Sequence, residues 1–562
     1  MSLNTVRNIM ARYIFLLPFL FFSALVLFEI RQTAFLYDSA IHIDAARYLA
    51  YPPSHITPSI FELLSTTTSG PVLSIAGALT TAITGNHWWT ASLAAASLNL
   101  LIFLFFIFRL DQITNNRSTV LTLTFCLLFL ILSLQWWTFF LGEMPSILLF
   151  FVASTFVIDS SLSANKRYSF TAITLALSLR AKLITLPMIG GLVIYLAIEQ
   201  WIAWYKHQKN IALIAKEVLL ACIVFFITYC VFYFVDYSIF CRAGSNAYIE
   251  SWLTKKAFIS GNSAMGIGKL LAAKDPLAEI FNNILRNYDL LASYTTNRLG
   301  AFNAIVFLLA GTLLGCFTLT LPKKPIDKLL AIFFLSLLVT SIWFFVINQS
   351  FFERYTVTIS CLALTLTALC IYRCKPIAAP LALGALIFLS PKEQQTQFLQ
   401  TLTFQKSTAQ TALLTDKYNQ NIQETAQYLS KNTFDIPLAK CGWMSAAWSI
   451  DYLLPEDKFI TDCYLLMRDA ISTQTNQSDS TQYTWTKSAG FILITDKLTW
   501  KFAKFNAISR PIQKIVMDAC KKQVLYENET FRVMHCSEDA IRTAINPNTM
   551  GEFVDKNPIW KR

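Results

Sequence analysis

The sequence predicts a polytopic α-helical membrane protein of about eleven spans with an extracytoplasmic α/β domain at its C-terminal end. Three observations predict it. Of 562 residues, 55% are hydrophobic and only 14% charged, where a soluble domain carries about a quarter charged residues. Apolar runs close to the length of a bilayer crossing recur along residues 1–390. From residue 391 the chain becomes rich in Thr, Gln, Lys and Asp.

A crossing needs about 20 mostly apolar residues. The first run, 12–30, is "RYIFLLPFLFFSALVLFEI". It is too long for a cleaved signal peptide and lacks the small-residue cleavage site, so it reads as a retained anchor. Further runs lie near 91–109, 119–137, 144–158, 169–181, 183–199, 217–236, 300–320, 329–347, 356–372 and 376–390. The pair at 169–199 is short in each half, with Arg180 and Lys182 at the junction. Read as a hairpin, it places Arg7, Arg12, Arg109, Arg117, Lys166, Arg167, Lys206, Lys209, Lys216, Lys323, Lys324, Lys328, Arg373 and Lys375 on one side. That is the positive-inside bias, and a single long helix would destroy it. The N-terminus is then cytoplasmic, and loops 31–90 and 237–299 and the tail 391–562 lie outside. The formal charge of +12 is therefore topogenic, and no nucleic-acid partner is implied.

The tail contains "GFILIT" and "FRVMHC", which read as short strands, and the helical pattern "TAQTALLTDKYNQNIQETAQYLSK". Its four cysteines, Cys441, Cys463, Cys520 and Cys536, suit two disulfides in an oxidising periplasm, with reduced structural thiols as the alternative.

Charge at membrane depth costs on the order of 2.5–3.5 kcal/mol on insertion scales, so the charges at outward ends stand out. The stretch "YDSAIHIDAARYLAYPPSH", 37–55, holds Asp38, His42, Asp44 and Arg47 just after the first run. "WWTFFLGEMPSI" holds Glu143, "LSLRAKLITLP" holds Arg180 and Lys182, and "NQSFFERYTVT" holds Glu353, Arg354 and Tyr355. The loop 237–299 adds Lys255, Lys256, Lys269 and Arg298. All fall at one face, where they supply carboxylates for general-base work and cations for a phosphate. Each also has an ordinary reading. Asp38 suits a helix N-cap, His42 and Asp44 a wet helix face, and Arg180, Lys182 and Arg354 an interfacial anchor.

The order of these parts resembles the GT-C superfamily, integral-membrane glycosyltransferases that use polyprenyl-phosphate-linked sugars and include protein mannosyltransferases and the aminoarabinose transferase of lipid A. "YDSAIHIDAAR" matches its first-loop acidic motif at Tyr37, Asp38, Ala45, Ala46 and Arg47, and departs from it at Ser39. "GEMPSILLFF" is similar to a Gly-Glu-x-Pro element at Gly142, Glu143 and Pro145, and "FFERYTVT" to a late "RY" element. "LALSLRAKLITLP" resembles the junction where a basic residue lies near the donor phosphate.

The resemblance implies an inverting transfer. Asp38, with Asp44 as second choice, serves as base towards an acceptor hydroxyl on a glycan, lipid or protein. Arg180, Lys182 and Arg354 hold the leaving polyprenyl phosphate, and His42, Arg47, Glu143 and Tyr355 contact substrate or orient these groups. Some relatives use a divalent metal, but the spacing of Asp38, His42 and Asp44 does not put all three on one helical face, and none is expected. The implied location is a bacterial inner membrane. A transporter or flippase for a lipid-linked sugar is the alternative; it would favour mid-span charges and repeated halves, and neither is visible.

Overall fold

Every long apolar run that the structure describes is a helix. The computed structural model describes residues 13–35, 37–51, 71–114, 118–132, 134–208, 210–240, 274–299, 324–347, 355–405, 410–440, 447–455, 458, 460–462, 490–496, 518, 520 and 523–537. The run expected at 300–320 lies outside them. The chain forms two compact units, one of Met1–Thr33, Thr68–Ala76 and Ser92–Ala409, the other of Ala34–Thr67, Gly77–Ala91 and Gln410–Arg562.

The first unit is helical: α1 Leu16–Glu29, the N-terminal part of α3 Pro71–Thr84, α4 Thr90–Thr114, α5 Ser118–Ile131, α6 Gln135–Thr138, α7 Glu143–Ile158, α8 Ala164–Ala181, α9 Leu186–Tyr205, α10 Ile211–Phe240, α11 Pro276–Leu299, α12 Pro325–Ile342, α13 Thr356–Cys374, α14 Ala378–Leu389 and α15 Lys392–Leu402. Helix α2, Tyr37–Ala50, belongs to the other unit. Among the described residues five helices are long and apolar enough to cross a membrane: Thr90–Thr114, Leu183–Tyr205, Ile211–Phe232, Pro325–Ile347 and Thr356–Cys374. Four more apolar helices are shorter. The chain is thus a multi-pass helical protein, and the described spans do not fix the number at eleven.

Packing explains which helices lie inside. Helix α7 is apolar around its whole circumference and every residue is buried, as expected of a central helix. Helix α10 is equally apolar but outward-facing, with Phe226 66% and Phe234 63% exposed. An apolar surface of that extent suits lipid rather than water. Inside, Trp137 is fully buried, and Phe22, Phe103 and Phe129 meet it edge-on at centroid distances of 4.9, 5.3 and 5.1 Å, the geometry the ring quadrupoles favour.

Polar contacts join the helix ends that the charge bias puts on one side. Arg109 reaches Asp159 at 2.5 Å, Lys328 reaches Glu199 at 3.2 Å and Arg373 reaches Asp327 at 2.8 Å. Gln200, near the end of α9, donates to Tyr168, near the start of α8, and to Glu217 of α10 at 3.3 Å. The Tyr168–Gln200 bond requires α8 and α9 to run antiparallel, and the chain breaks at Lys182, an extended residue with φ −163° and ψ 138°. The hairpin reading of 169–199 therefore describes the observed geometry.

The second unit holds α2, the C-terminal part of α3 with the turn after it, α16 Gln410–Lys431, α17 Ala447–Leu453 and a five-stranded sheet. The strands are β1 Leu438–Lys440, β2 Ile460–Asp462, β3 Gly490–Asp496, β4 Val524–Glu527 and β5 Phe531–Ser537, in the order β2-β1-β3-β5-β4. β1 pairs in parallel with β2 and β3, while β3–β5 and β4–β5 are antiparallel. "GFILIT" and "FRVMHC" are neighbours in that sheet, as β3 and β5. Cys520 and Cys536 form a disulfide; Cys441 and Cys463 lie outside the described residues.

Candidate active site

In the helical unit, the start of α7 and the end of α8 approach so closely that position 142 admits no side chain. A Cβ on Gly142 would stand 2.2 Å from the Ala181 carbonyl oxygen. This contact sets Glu143, 1% exposed, beside Lys182, 8% exposed, with Oε1 and Nζ 3.7 Å apart. The Ser178 hydroxyl donates to the Ser146 carbonyl at 2.7 Å and shares a hydrogen bond with Thr185 at 3.0 Å. These bonds pin the chain break that carries the cations. Such buried charge is expensive unless it is paired or serves a ligand.

Arg180, 4% exposed, places its guanidinium 5.1 Å from the centre of the Tyr229 ring. Tyr229 in turn stacks on Phe225 at 6.1 Å. Phe225 is a wall of an apolar groove of about 670 Å³ formed by α8, α9 and α10, with Leu175, Ile189, Val193 and Phe226 among its other walls. A cation thus stands one aromatic step from a groove of acyl-chain character, an arrangement matched to an amphiphile with an anionic head. Tyr355, half-buried at the start of α13, meets Trp343 at 6.2 Å. Trp343 opens a π-helical turn, Trp343–Ile347, and Asn287 of α11 donates to the Phe344 carbonyl at 2.7 Å. Glu353 and Arg354 lie outside the described residues.

The first-loop residues fall in the other unit. Asp38 stands in the first turn of α2; its side chain is outside what the structure describes. His42 is buried. Asp44, fully buried, pairs with Arg47 at 2.7 Å. Arg47 also donates to the carbonyls of Asp451, Tyr452 and Leu454, each at 3.4 Å. Those carbonyls end α17, so Arg47 is a side-chain cap on a helix C-terminus. Burial pushes the Asp44 carboxyl well above the usual carboxylate range against the pull of Arg47, and the adjacent Asp451 adds to the rise. Asp451 is raised by burial as well, and it accepts from the Ile460 N–H at 2.6 Å. Burial also pushes the Tyr452 hydroxyl up to about 12. Phe35 extends the seam, donating its N–H to Asn419 at 2.9 Å and accepting from Ser449 at 2.8 Å.

The structure therefore brings Glu143 to Lys182, and Asp44 to Arg47, in separate units. Sequence reasoning missed Asp451, Tyr229 and Phe225. Asp451 had a signal, an acid amid apolar residues in "WSIDYLL"; the two aromatics had none, being ordinary rings in an apolar run. Among the described residues no three His, Cys, Asp or Glu side chains are grouped as metal ligands.

No family model and no curated protein matches the sequence. Solved structures match its fold. The crystal structure of ArnT from Cupriavidus metallidurans in the apo state matches over 97% of this chain and 100% of its own, at 11% identity and a TM-score of 0.54. ArnT from Cupriavidus metallidurans bound to undecaprenyl phosphate matches over 94% of this chain and 98% of its own, at 11% identity and a TM-score of 0.51. Over nearly its whole length, then, the chain shares the fold of ArnT.

Proposed function

We propose that the protein is a GT-C-type glycosyltransferase that moves a sugar from a polyprenyl-phosphate carrier to an acceptor hydroxyl, with inversion, at the outer face of a bacterial inner membrane. One observation carries the reading: buried Arg180 stands over Tyr229 beside an apolar groove, in a fold shared with a protein crystallised with undecaprenyl phosphate. The groove takes the polyprenyl chain, and Arg180 and Lys182, joined by Arg354, take the phosphate. Glu143 holds Lys182 in place by their ion pair.

In the reaction, the acceptor oxygen attacks the anomeric carbon while its proton passes to the Asp38 carboxylate. The bond from the anomeric carbon to the phosphate oxygen breaks, and the electron pair leaves with polyprenyl phosphate. The cations meet the charge that grows on that oxygen, the electrostatic term that is commonly the largest in catalysis. Tyr355 and His42 line the substrate's path. Asp44 and Arg47 act as positioning residues, since their ion pair and the cap on α17 fix the helix that carries Asp38. The tail thereby has a task, to hold the base-bearing helix from outside the membrane; the Cys520–Cys536 disulfide agrees with that compartment.

The test is binding. Undecaprenyl phosphate is titrated into purified wild type, Arg180→Ala and Lys182→Ala and read by native mass spectrometry. Retention by wild type and a loss of roughly ten-fold or more in affinity in either variant, the scale of one charge-assisted contact, supports the reading. Equal retention by all three proteins removes the cations from the phosphate site.

A further inference from the structure

The turn after α3, "GNHWW" at 85–89, has no part in the transfer chemistry above, yet it is built with care. Gly85 ends the helix with φ +77°, a left-handed conformation that suits glycine. The Thr90 hydroxyl donates to the Gly85 carbonyl at 3.0 Å and shares a hydrogen bond with Thr84 at 3.2 Å, and the His87 N–H donates to it at 3.3 Å. Held this way, His87 and Trp89 stack at 5.1 Å with their planes 12° apart, and His87 is exposed. The turn presents a fixed aromatic platform.

Across from it, in the same unit, α16 presents Gln423, Gln427, Ser430 and Lys431, positions spaced to share one helical face. The cleft between measures about 380 Å³, within the range of small-molecule sites. Asn86 stands at its edge. Among the described residues the lining thus offers an aromatic face, amides that both donate and accept, a single lysine and no carboxylate. An apolar ligand would strand the amides, and a polyanion would meet only one positive charge. A pyranose suits this lining: its C–H face lies on the electron-rich ring face, its hydroxyls pair with the Gln423 and Gln427 amides, and an acid substituent reaches Lys431.

We propose that this cleft is a carbohydrate-binding site for one pyranose unit of an envelope glycan, with a uronic acid preferred over neutral sugars. The proposal stands on the cleft's own lining and does not require the transferase reading. The full-length protein in nanodiscs is tested by saturation-transfer NMR against glucose, mannose, galactose, N-acetylglucosamine and glucuronate at millimolar concentration. Saturation is expected on at least one sugar, strongest on glucuronate. It is lost in Trp89→Ala and weakened roughly five-fold in Gln427→Ala, the scale of one neutral hydrogen bond; Gln427 is exposed, so that variant leaves the fold intact. Lys431→Met is expected to weaken glucuronate alone. No transfer to any of the five sugars, or transfer undiminished in both Trp89→Ala and Gln427→Ala, overturns the proposal, whatever the protein does with polyprenyl phosphate.

Discussion

Arg47 joins a loop helix to a domain that lies 404 residues further along the chain, and its neighbours fix what its loss would do. Stranding a buried hydrogen-bond acceptor costs about 1–3 kcal/mol, and Arg47 serves the Asp451, Tyr452 and Leu454 carbonyls as well as Asp44. Arg47→Ala is therefore expected to lower the denaturant midpoint of the second unit, followed by tryptophan fluorescence; an unchanged midpoint would remove the cap from the account. Asp44 behaves differently. Its folded pKa is raised, as is that of Asp451, so the folded state binds more protons than the unfolded one. Stability of this unit should fall as pH rises from about 4, where free carboxyls titrate, through the raised values, and then level off. Asp44→Asn mimics the protonated acid and should keep the fold while flattening that profile. A profile unchanged in the variant would show that another group dominates. None of this was legible in the sequence. The "DAAR" stretch marks Asp44 and Arg47 as candidate site residues, but the contacts of Arg47 with Asp451, Tyr452 and Leu454, at least 404 residues further along the chain, leave no trace there.

At the scale of elements, the helices were legible because the length and apolarity of a run directly encode a crossing. The break at Lys182 was legible from charge, since the sidedness of Lys and Arg admits only an antiparallel pair there. The grouping of α2 with the tail, the strand order and the one-step path from Arg180 to the groove depend on three-dimensional neighbours and left no trace in periodicity. The close approach at Gly142 belongs here too. Gly142→Val must push α7 away from Ala181, where a Cβ would stand 2.2 Å from the carbonyl oxygen. The displacement separates Glu143 from Lys182. Overpacking of this kind costs about 1–3 kcal/mol, so the variant should unfold at lower temperature and retain undecaprenyl phosphate more weakly. Wild-type retention would show that this contact does not set the cation.

For the whole molecule, the two units have different sources of stability. The helical unit rests on aromatic packing and polar contacts at helix ends. The second carries a mixed sheet, whose β4–β5 hairpin is tied by Cys520–Cys536 at a sequence separation of 16. Closing a loop of that length is worth about 3 kcal/mol in the chain-entropy account. Cys520→Ser with Cys536→Ser is expected to lower the unfolding midpoint of this unit alone, and thiol trapping without reductant should leave both cysteines unlabelled in wild type. Labelling of both in protein taken from intact cells would place the tail in a reducing compartment.

The most direct measurement for glycosyl transfer compares purified wild type with Asp38→Asn, supplied with a synthetic polyprenyl-phosphate sugar and an envelope extract as acceptor. Release of polyprenyl phosphate that depends on the extract, and that falls by about 10²-fold or more in the variant while its unfolding midpoint is unchanged, is the expected result. Equal release by the variant, or movement of intact sugar-lipid across vesicles without release, would contradict it.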